Sequence, residues 1–487
     1  MSFSNPCVPA VSLPRQSRVA CALAMLAGAF AVTTARATDF PMLTDPAPSS
    51  GSVAQPSSPG PSSAGLNSST DWLSRFVERS AEDGIYYRST IMLEAAGNVS
   101  GGIRRGSTVS PYLTFGADFD LEKLIGWRGA VVHATIIAEH SSGVSQKYIG
   151  GGVDVQENYA PFNVFRFMSL TLEQKLSLWA KDDVLLTVGR MGMTSYFAKN
   201  AYTCDFLNHT FCGPMYGFTQ STGTAVAPVA SWGGVARLNT SKRTYVQAGA
   251  FAVDADTIDA STRIMDLGVS GIHGTDYLAE VGYESLPADR MTGHYRLGVS
   301  YLASSRNDVY LNDEGLPLYL DGGSKLQHRD EVAAYVTADQ VIYRDSAISE
   351  RNIALFGSYY QNFQTSEAIA DTWKLGVVKT GTFPGRDSDT IGFAASEVSF
   401  TDKEIDYLSA KRAQGGGYGR VPGNEWIFEV NYGYQLAPGL IVRPNVQWLL
   451  HPDSRYSPTY PRAIPNALVI GLQISIGVDR LAKLPRI

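Results

Sequence analysis

The sequence predicts an all-β fold, a transmembrane antiparallel up-and-down β-barrel of about sixteen strands preceded by one short N-terminal helix. Three observations predict it. Beyond Gly84 the chain repeats segments of about ten residues in which every second side chain is apolar, the period of a strand with one oily and one polar face. Aromatic residues gather at segment ends, at Tyr86, Tyr87, Trp127, Trp373, Trp426, Tyr434 and Trp448, where the interfacial girdle of a membrane barrel lies. The chain opens with an export signal, and no later run approaches the roughly 18 apolar residues of a membrane-crossing helix.

Bulk composition narrows the field without naming a function. Among 487 residues, 44% are hydrophobic and 18% charged, and the mean hydropathy is −0.08. That is too polar for a helical membrane protein and too apolar for a disordered chain. In a wide barrel about half of each strand faces water, so near-zero hydropathy is the expected value. A net charge of −6 leaves no basic excess to neutralise phosphates, which excludes nucleic acid as a partner.

Taken in order, Arg15 and Arg18 precede an apolar run from Val19 to Val32, and Ala35-Arg36-Ala37 forms a small-x-small cleavage site. Residues 1–37 therefore read as a signal peptide. Its removal takes three arginines and no acid, leaving 37 basic against 46 acidic residues, a charge of −9. Residues 38–70 are rich in Pro, Ser and Gly and hold too little apolar surface to offset ordering entropy, so they read as a tether. Residues 71–84 place an acid, Asp71, at a cap position ahead of apolar residues at helical spacing, and predict a short periplasmic helix. The barrel is expected over 85–478, with a tail at 479–487.

Alternation defines the barrel segments. Leu468, Ile470, Leu472, Ile474 and Ile476 oppose Gln473 and Ser475; Trp426, Phe428, Val430, Tyr432 and Tyr434 oppose Glu429, Asn431 and Gln435; Tyr295, Leu297, Val299 and Tyr301 oppose His294, Arg296 and Ser300. A soluble β-sandwich also alternates, but segment length, the aromatic ends and the export signal favour the membrane barrel. Strand starts are expected near Tyr86, Val109, Arg128, Phe165, Asp183, Gly223, Arg243, Thr275, Thr292, His328, Glu350, Asp371, Asp387, Gly423, Gly439 and Asn466. Sixteen strands imply an aqueous lumen instead of a core filled by side chains, hence a conduit.

Non-alternating stretches at 139–163, 191–222, 307–327 and 402–422 are expected to be the long extracellular loops. The second contains Cys204 and Cys212, with seven residues between them, which in an exported protein predict a disulfide; Cys7 and Cys21 leave with the signal. This stapled loop is expected to fold inward and narrow the pore.

Strand parity nominates Arg88, Glu94, Asp118, His133, Glu173, Arg296, Asp339, Glu429 and Arg443 as lumen-facing, and Arg190, at a strand end, joins them as a candidate. Both signs are present, which suits a neutral solute better than an ion filter. The competing reading of each residue is a wall ion pair that holds loops and barrel shape. No nucleophile elbow, zinc helix or phosphate loop is found, and the histidines show no ligand spacing, so neither an enzyme nor a metal or other cofactor is expected.

Several segments carry a family resemblance. Gly84-Ile85-Tyr86-Tyr87 with Leu93-Glu94-Ala95-Ala96-Gly97-Asn98, the run from Phe119 to Gly129, Gly189-Arg190-Met191, Phe206-Leu207-Asn208-His209-Thr210-Phe211-Cys212, Arg443-Pro444-Asn445-Val446-Gln447-Trp448 and Asn466 to Leu472 together resemble the carbohydrate-selective porins, the OprB family. The resemblance covers about residues 72–478. It implies a sixteen-stranded channel in the Gram-negative outer membrane, in contact with its lipids, passing glucose-like sugars or polyols by facilitated diffusion. The chain has Asn445 and Gln473 where the family tends to have Asp and Arg, and its last strand lacks a closing aromatic. A nonselective diffusion porin and a channel or scaffold for polysaccharide export are the alternatives, and the sequence leaves monomer and trimer both open.

Overall fold

The computed structural model describes residues 71–139, 143–158, 164–181, 183–213, 215–218, 229–254, 267–269, 271–346, 349–364 and 366–487, with side chains from residue 74 onward. The expected signal peptide and tether lie outside the described residues. Sixteen strands run β1 (Ile85–Ser100), β2 (Gly106–Asp120), β3 (Ala130–Glu139), β4 (Val164–Leu176), β5 (Val184–Met191), β6 (Ser231–Asn239), β7 (Thr244–Asp254) and β8 (Ile272–Glu284). They continue as β9 (Gly293–Asn312), β10 (Lys325–Arg344), β11 (Asn352–Asn362), β12 (Ile369–Thr380), β13 (Thr390–Phe400), β14 (Asn424–Ala437), β15 (Leu440–Leu450) and β16 (Ala467–Gly477). Each pairs antiparallel with its chain neighbours, and β1 closes onto β16 with Glu94 opposite Gln473, so no edge is left unpaired. Among the described residues no helix is long and apolar enough to cross a membrane; the strands do the crossing.

The period-two pattern is realised side chain by side chain. On β14, Val430 is 51% exposed on the outer wall while its neighbour Glu429 is 0% exposed on the inner one. Trp373 and Trp426 meet edge-on with ring centroids 5.4 Å apart, and Phe428 and Trp448 lie 6.1 Å apart, forming part of the expected girdle. Tyr86 and Tyr87 do not belong to it. Both are buried: Tyr87 packs with Phe76 and Val77 of helix α1 (Asp71–Glu82), while the Tyr86 hydroxyl accepts from Lys123 Nζ at 2.8 Å. Because Ile85, Tyr87 and Ala117 share the outward parity, α1 leans on the outside of the wall, at the end where the short turns lie.

Three expectations change. Strand β6 begins at Ser231, and the expected start at Gly223 lies outside the described residues. Strands β9 and β10 reach Asn312 and Lys325, so the loop between them is shorter than 307–327. The stretch 402–422 is not all loop, because it begins with a helix, Asp402–Gln414, capped by Thr401 Oγ1 accepting the Glu404 N–H. Thr401 and Glu404 have the spacing of a capping box, a signal that was present in the sequence.

The lumen is also less open than sixteen strands alone imply. Residues 143–158, 192–213 and 215–218 fold inside the barrel. There Val144, Ile149, Val153, Val155, Phe206 and Phe211 form one apolar core with the inward-facing Phe356, Ala394, Val398, Ile427 and Val469. A second core places Met193, Phe197, Met215 and Phe218 on Phe251, Leu278 and Tyr335. Burying a large apolar side chain contributes about 1.5–3 kcal/mol, which explains why these loops are held against the wall instead of standing in solvent.

Candidate functional site

The inward loop that follows β5 is pinned by polar groups along a broad arc of wall. Gln247 on β7 donates to the Tyr196 carbonyl at 2.8 Å, Glu280 on β8 accepts the Ala198 N–H at 2.9 Å, and Arg296 on β9 donates to the Lys199 carbonyl at 3.1 Å. On the far side of the arc Glu429 on β14 accepts the N–H groups of Leu207 and Asn208, each at 2.9 Å, and Asn208 donates to Gln447 on β15 at 2.9 Å. Cys204 and Cys212 are joined by a disulfide, with Cα atoms 4.2 Å apart. The loop preceding β4 is held in the same manner: Glu94 accepts the Asn158 N–H at 3.1 Å, and Gln156 donates to the Glu94 carbonyl and to Ser110.

These anchors separate the parity-nominated residues into two groups. Glu94, Asp339, Glu429 and Arg443 face inward but are buried beneath the loops they hold. Arg88, His133 and Glu173 face inward and keep contact with the lumen, their side chains 29%, 24% and 19% exposed. Asp118 stands behind them as a bridge: it accepts from Arg88 Nη2 at 2.9 Å and pairs with His133 Nδ1 at 2.7 Å. Arg190 is not lumen-facing. It lies opposite Leu170 and Trp232, with the parity of the outward Leu186 and Val188, and gives Nη2 to the Ala230 carbonyl at 2.6 Å.

A second network on β6 and β8–β10 completes the passage. Glu284 accepts from Arg237 at 2.8 Å and from Arg296 at 3.1 Å, and the Arg237 guanidinium lies 3.7 Å above the Tyr245 ring. His294 pairs with Asp339 at 2.6 Å. Arg237, Glu284 and His294 are 25%, 31% and 29% exposed in their side chains, so they meet the lumen as directly as the first group. Sequence reading missed the roles of Arg237 and Glu284, although alternation with Ala236 and Leu238 gives Arg237 its inward face.

The inward loop after β5 carries titratable groups of its own. Asp205 pairs with Arg443 at 2.7 Å, and burial nonetheless raises its carboxyl above the ordinary range. Burial, aided by the nearby Arg296 and Arg237 charges, pushes the Lys199 ammonium down to about 8. Tyr196 and Tyr202 are pushed up to about 12 by burial and stay neutral hydrogen-bonding groups. No cluster of three or more metal-ligating side chains occurs among the described residues.

Residues 104–477 match the family model described as carbohydrate-selective porin, OprB family. The chain belongs to this family. The OprB-family chain is 27% identical to Porin B of Pseudomonas aeruginosa over 420 residues, covering 83% of itself and 89% of that protein. It is 22% identical to the putative porin QuiX of Acinetobacter baylyi over 415 residues, 81% of this chain and 89% of the relative. The high-pH structure of Pseudomonas putida OprB superposes with a TM-score of 0.75 at 26% identity, covering 83% of this chain and 97% of the other. The OprB-family barrel is thus an outer-membrane carbohydrate porin of a Gram-negative bacterium, a channel rather than an enzyme.

Proposed function

We propose that this porin passes neutral monosaccharides and polyols of the glucose type, and that solutes are sorted in the gap between the Arg88–Asp118–His133–Glu173 wall, the Arg237–Glu284–Arg296 wall and the tip of the disulfide-closed loop. One observation carries this reading: each wall exposes acids and bases already paired with one another, so the passage offers many directed donors and acceptors and little unbalanced charge. A polyhydroxylated neutral solute exchanges water hydrogen bonds for these, whereas an ion finds no single-sign field to favour it.

Swelling of liposomes carrying the protein tests the reading, with glucose, a polyol, a disaccharide and a size-matched amino acid as solutes. Glucose and the polyol entering several times faster than the amino acid is the expected result. Rates ordered by size alone overturn it and leave the nonselective diffusion porin.

A further inference from the structure

Two cavities sit above the constriction, on the side of the long loops, and share a residue. The inner one, about 290 Å³, is lined by Gly152, Asp154, His209, Tyr216, Arg455 and Tyr456, which come from three different loops. Its walls are built, not accidental. Tyr216 donates to the Gly152 carbonyl at 2.7 Å, the Asp453 carboxylate accepts the Gly152 N–H at 2.8 Å, and the His209 N–H reaches the Asp154 carbonyl at 3.0 Å. Tyr216 and His209 meet edge to face with ring centroids 5.9 Å apart, giving an aromatic corner. At this wall Asp154 Oδ1 and His209 Nε2 are buried and, among the described residues, lack a hydrogen-bond partner.

The outer cavity, about 600 Å³, is lined among others by Arg306, Asp308, Glu367, Tyr407 and again Arg455. Several of its charges are paired: Arg306 with Glu367 at 3.0 Å, Arg455 with Glu404 at 3.2 Å, and Asp308 with Lys403. Arg455 and its Glu404 partner therefore form the partition between a wide polar antechamber and a smaller aromatic cup.

We infer that the inner cavity is a capture site for one neutral sugar ring, loaded through the outer cavity before the solute enters the constriction. The cup holds the volume of about ten liquid waters, the scale of a single ring with its hydroxyls. Sugar hydroxyls donate and accept at once, so they satisfy both the unpaired Asp154 oxygen and the unpaired His209 nitrogen, while the Tyr216 corner takes an apolar ring face. Burial lifts the Asp154 carboxyl well above its ordinary range and holds the His209 ring down to about 4. The His209 ring is thus neutral near pH 7, and burial favours the uncharged form of Asp154. The inference rests on the channel carrying neutral sugars, as proposed above, and adds a site that the constriction does not require.

The test is direct binding of D-glucose to the full-length protein in detergent, by saturation-transfer NMR and calorimetry, alongside liposome swelling. Asp154→Leu and His209→Phe each remove one unpaired polar atom and should weaken glucose binding at least tenfold and raise the half-saturating concentration of flux. Swelling at high glucose should stay within about twofold of the unaltered protein. Should either variant fail to fold, judged by heat-modifiable gel migration, Gly152→Ala is the gentler probe. Its added methyl meets the Arg455 side chain at 2.9 Å, which shrinks the cup, and it should weaken binding in the same direction. Unchanged glucose affinity in the folded variants, with sugar-selective swelling intact, overturns the capture site and leaves the channel reading standing. Unselective swelling by the unaltered protein overturns the channel reading instead.

Discussion

Arg443 on β15 reaches across the barrel interior to Asp205 at the base of the disulfide-closed loop, Nη2 to Oδ1 at 2.7 Å, and gives Nη1 to the Cys204 carbonyl at 3.2 Å. The same guanidinium donates to Gln473 at 2.8 Å, whose amide in turn donates to Glu94. A single side chain thereby ties the last two strands and the first strand to the loop folded inside the barrel.

Replacing Arg443 with Met keeps much of the length and removes every donor. Asp205, whose side chain is 26% exposed, then loses its cation, and losing a partly buried charged hydrogen bond costs about 1–3 kcal/mol. The loop base should detach while the barrel stays closed. Planar-bilayer recording should show a larger and noisier single-channel conductance, and an unchanged, quiet channel would show that the pair does not position the loop.

Glu429 clamps the next turn of that loop through the Leu207 and Asn208 N–H groups. Glu429→Gln keeps one acceptor oxygen and should be mild, whereas Glu429→Ala strands two buried donors at about 1–3 kcal/mol each. Hydrogen exchange over residues 203–213 should accelerate at least tenfold in the alanine variant and far less in the glutamine variant. Equal protection in both would remove the clamp from the account.

Breaking the disulfide, by reduction or with the paired Cys204→Ser and Cys212→Ser substitutions, releases a short loop. On chain-entropy grounds its closure is worth about 2–3 kcal/mol. The apolar packing of Phe206 and Phe211 remains, so the loop should stay inward but open transiently. Brief upward conductance steps that are absent from the oxidised protein are the expected record.

Lys199 makes ion preference depend on pH. Its ammonium is held near 8, below the ordinary value, so it is charged below pH 8 and neutral above it. Losing a positive charge at the loop tip should shift reversal potentials toward cations as pH rises from 7 to 9. Lys199→Met should be cation-shifted at both values and flat between them. A wild-type-like pH response in that variant would assign the titration to another group. For stability the sign is the same: the unfolded chain keeps its proton up to about pH 10.4, so the folded loop gains as pH rises through that window.

Loss of lumen contacts is the last case. Arg237→Gln removes the charge that Glu284 answers and the cation over Tyr245. Glucose-driven swelling should slow by about threefold, and permeation should turn toward cations. If swelling stays the same for every sugar, the β6–β9 wall does not touch the solute.

Much of the barrel was legible in the sequence because lipid enforces period two. Val430 cannot exchange faces with Glu429 without putting a carboxylate in hydrocarbon. The inward faces of Glu94, Glu429 and Arg443 follow from the same rule. What parity cannot reveal is depth. These residues are buried by loop segments far away in the chain, and no local pattern in β14 announces that residues 207 and 208 will cover it. Arg190 sits where a strand gives way to the loop, and there only the pairing with Trp232 fixes its side. The helix after Thr401 was hidden for another reason: its capping spacing lay inside a charged stretch with no alternating pattern to contrast with.

The pairing of β1 with β16 has a kinetic consequence. The first strand finds its second partner only when the last has emerged, so closure has to wait for nearly the whole polypeptide to cross the inner membrane. Until then the exported chain carries two naked ladder edges that are templates for aggregation. Truncations within Ala467–Gly477 should therefore fail by degradation in the periplasm before any channel forms, whereas equally long deletions in the loop between β9 and β10 should be tolerated.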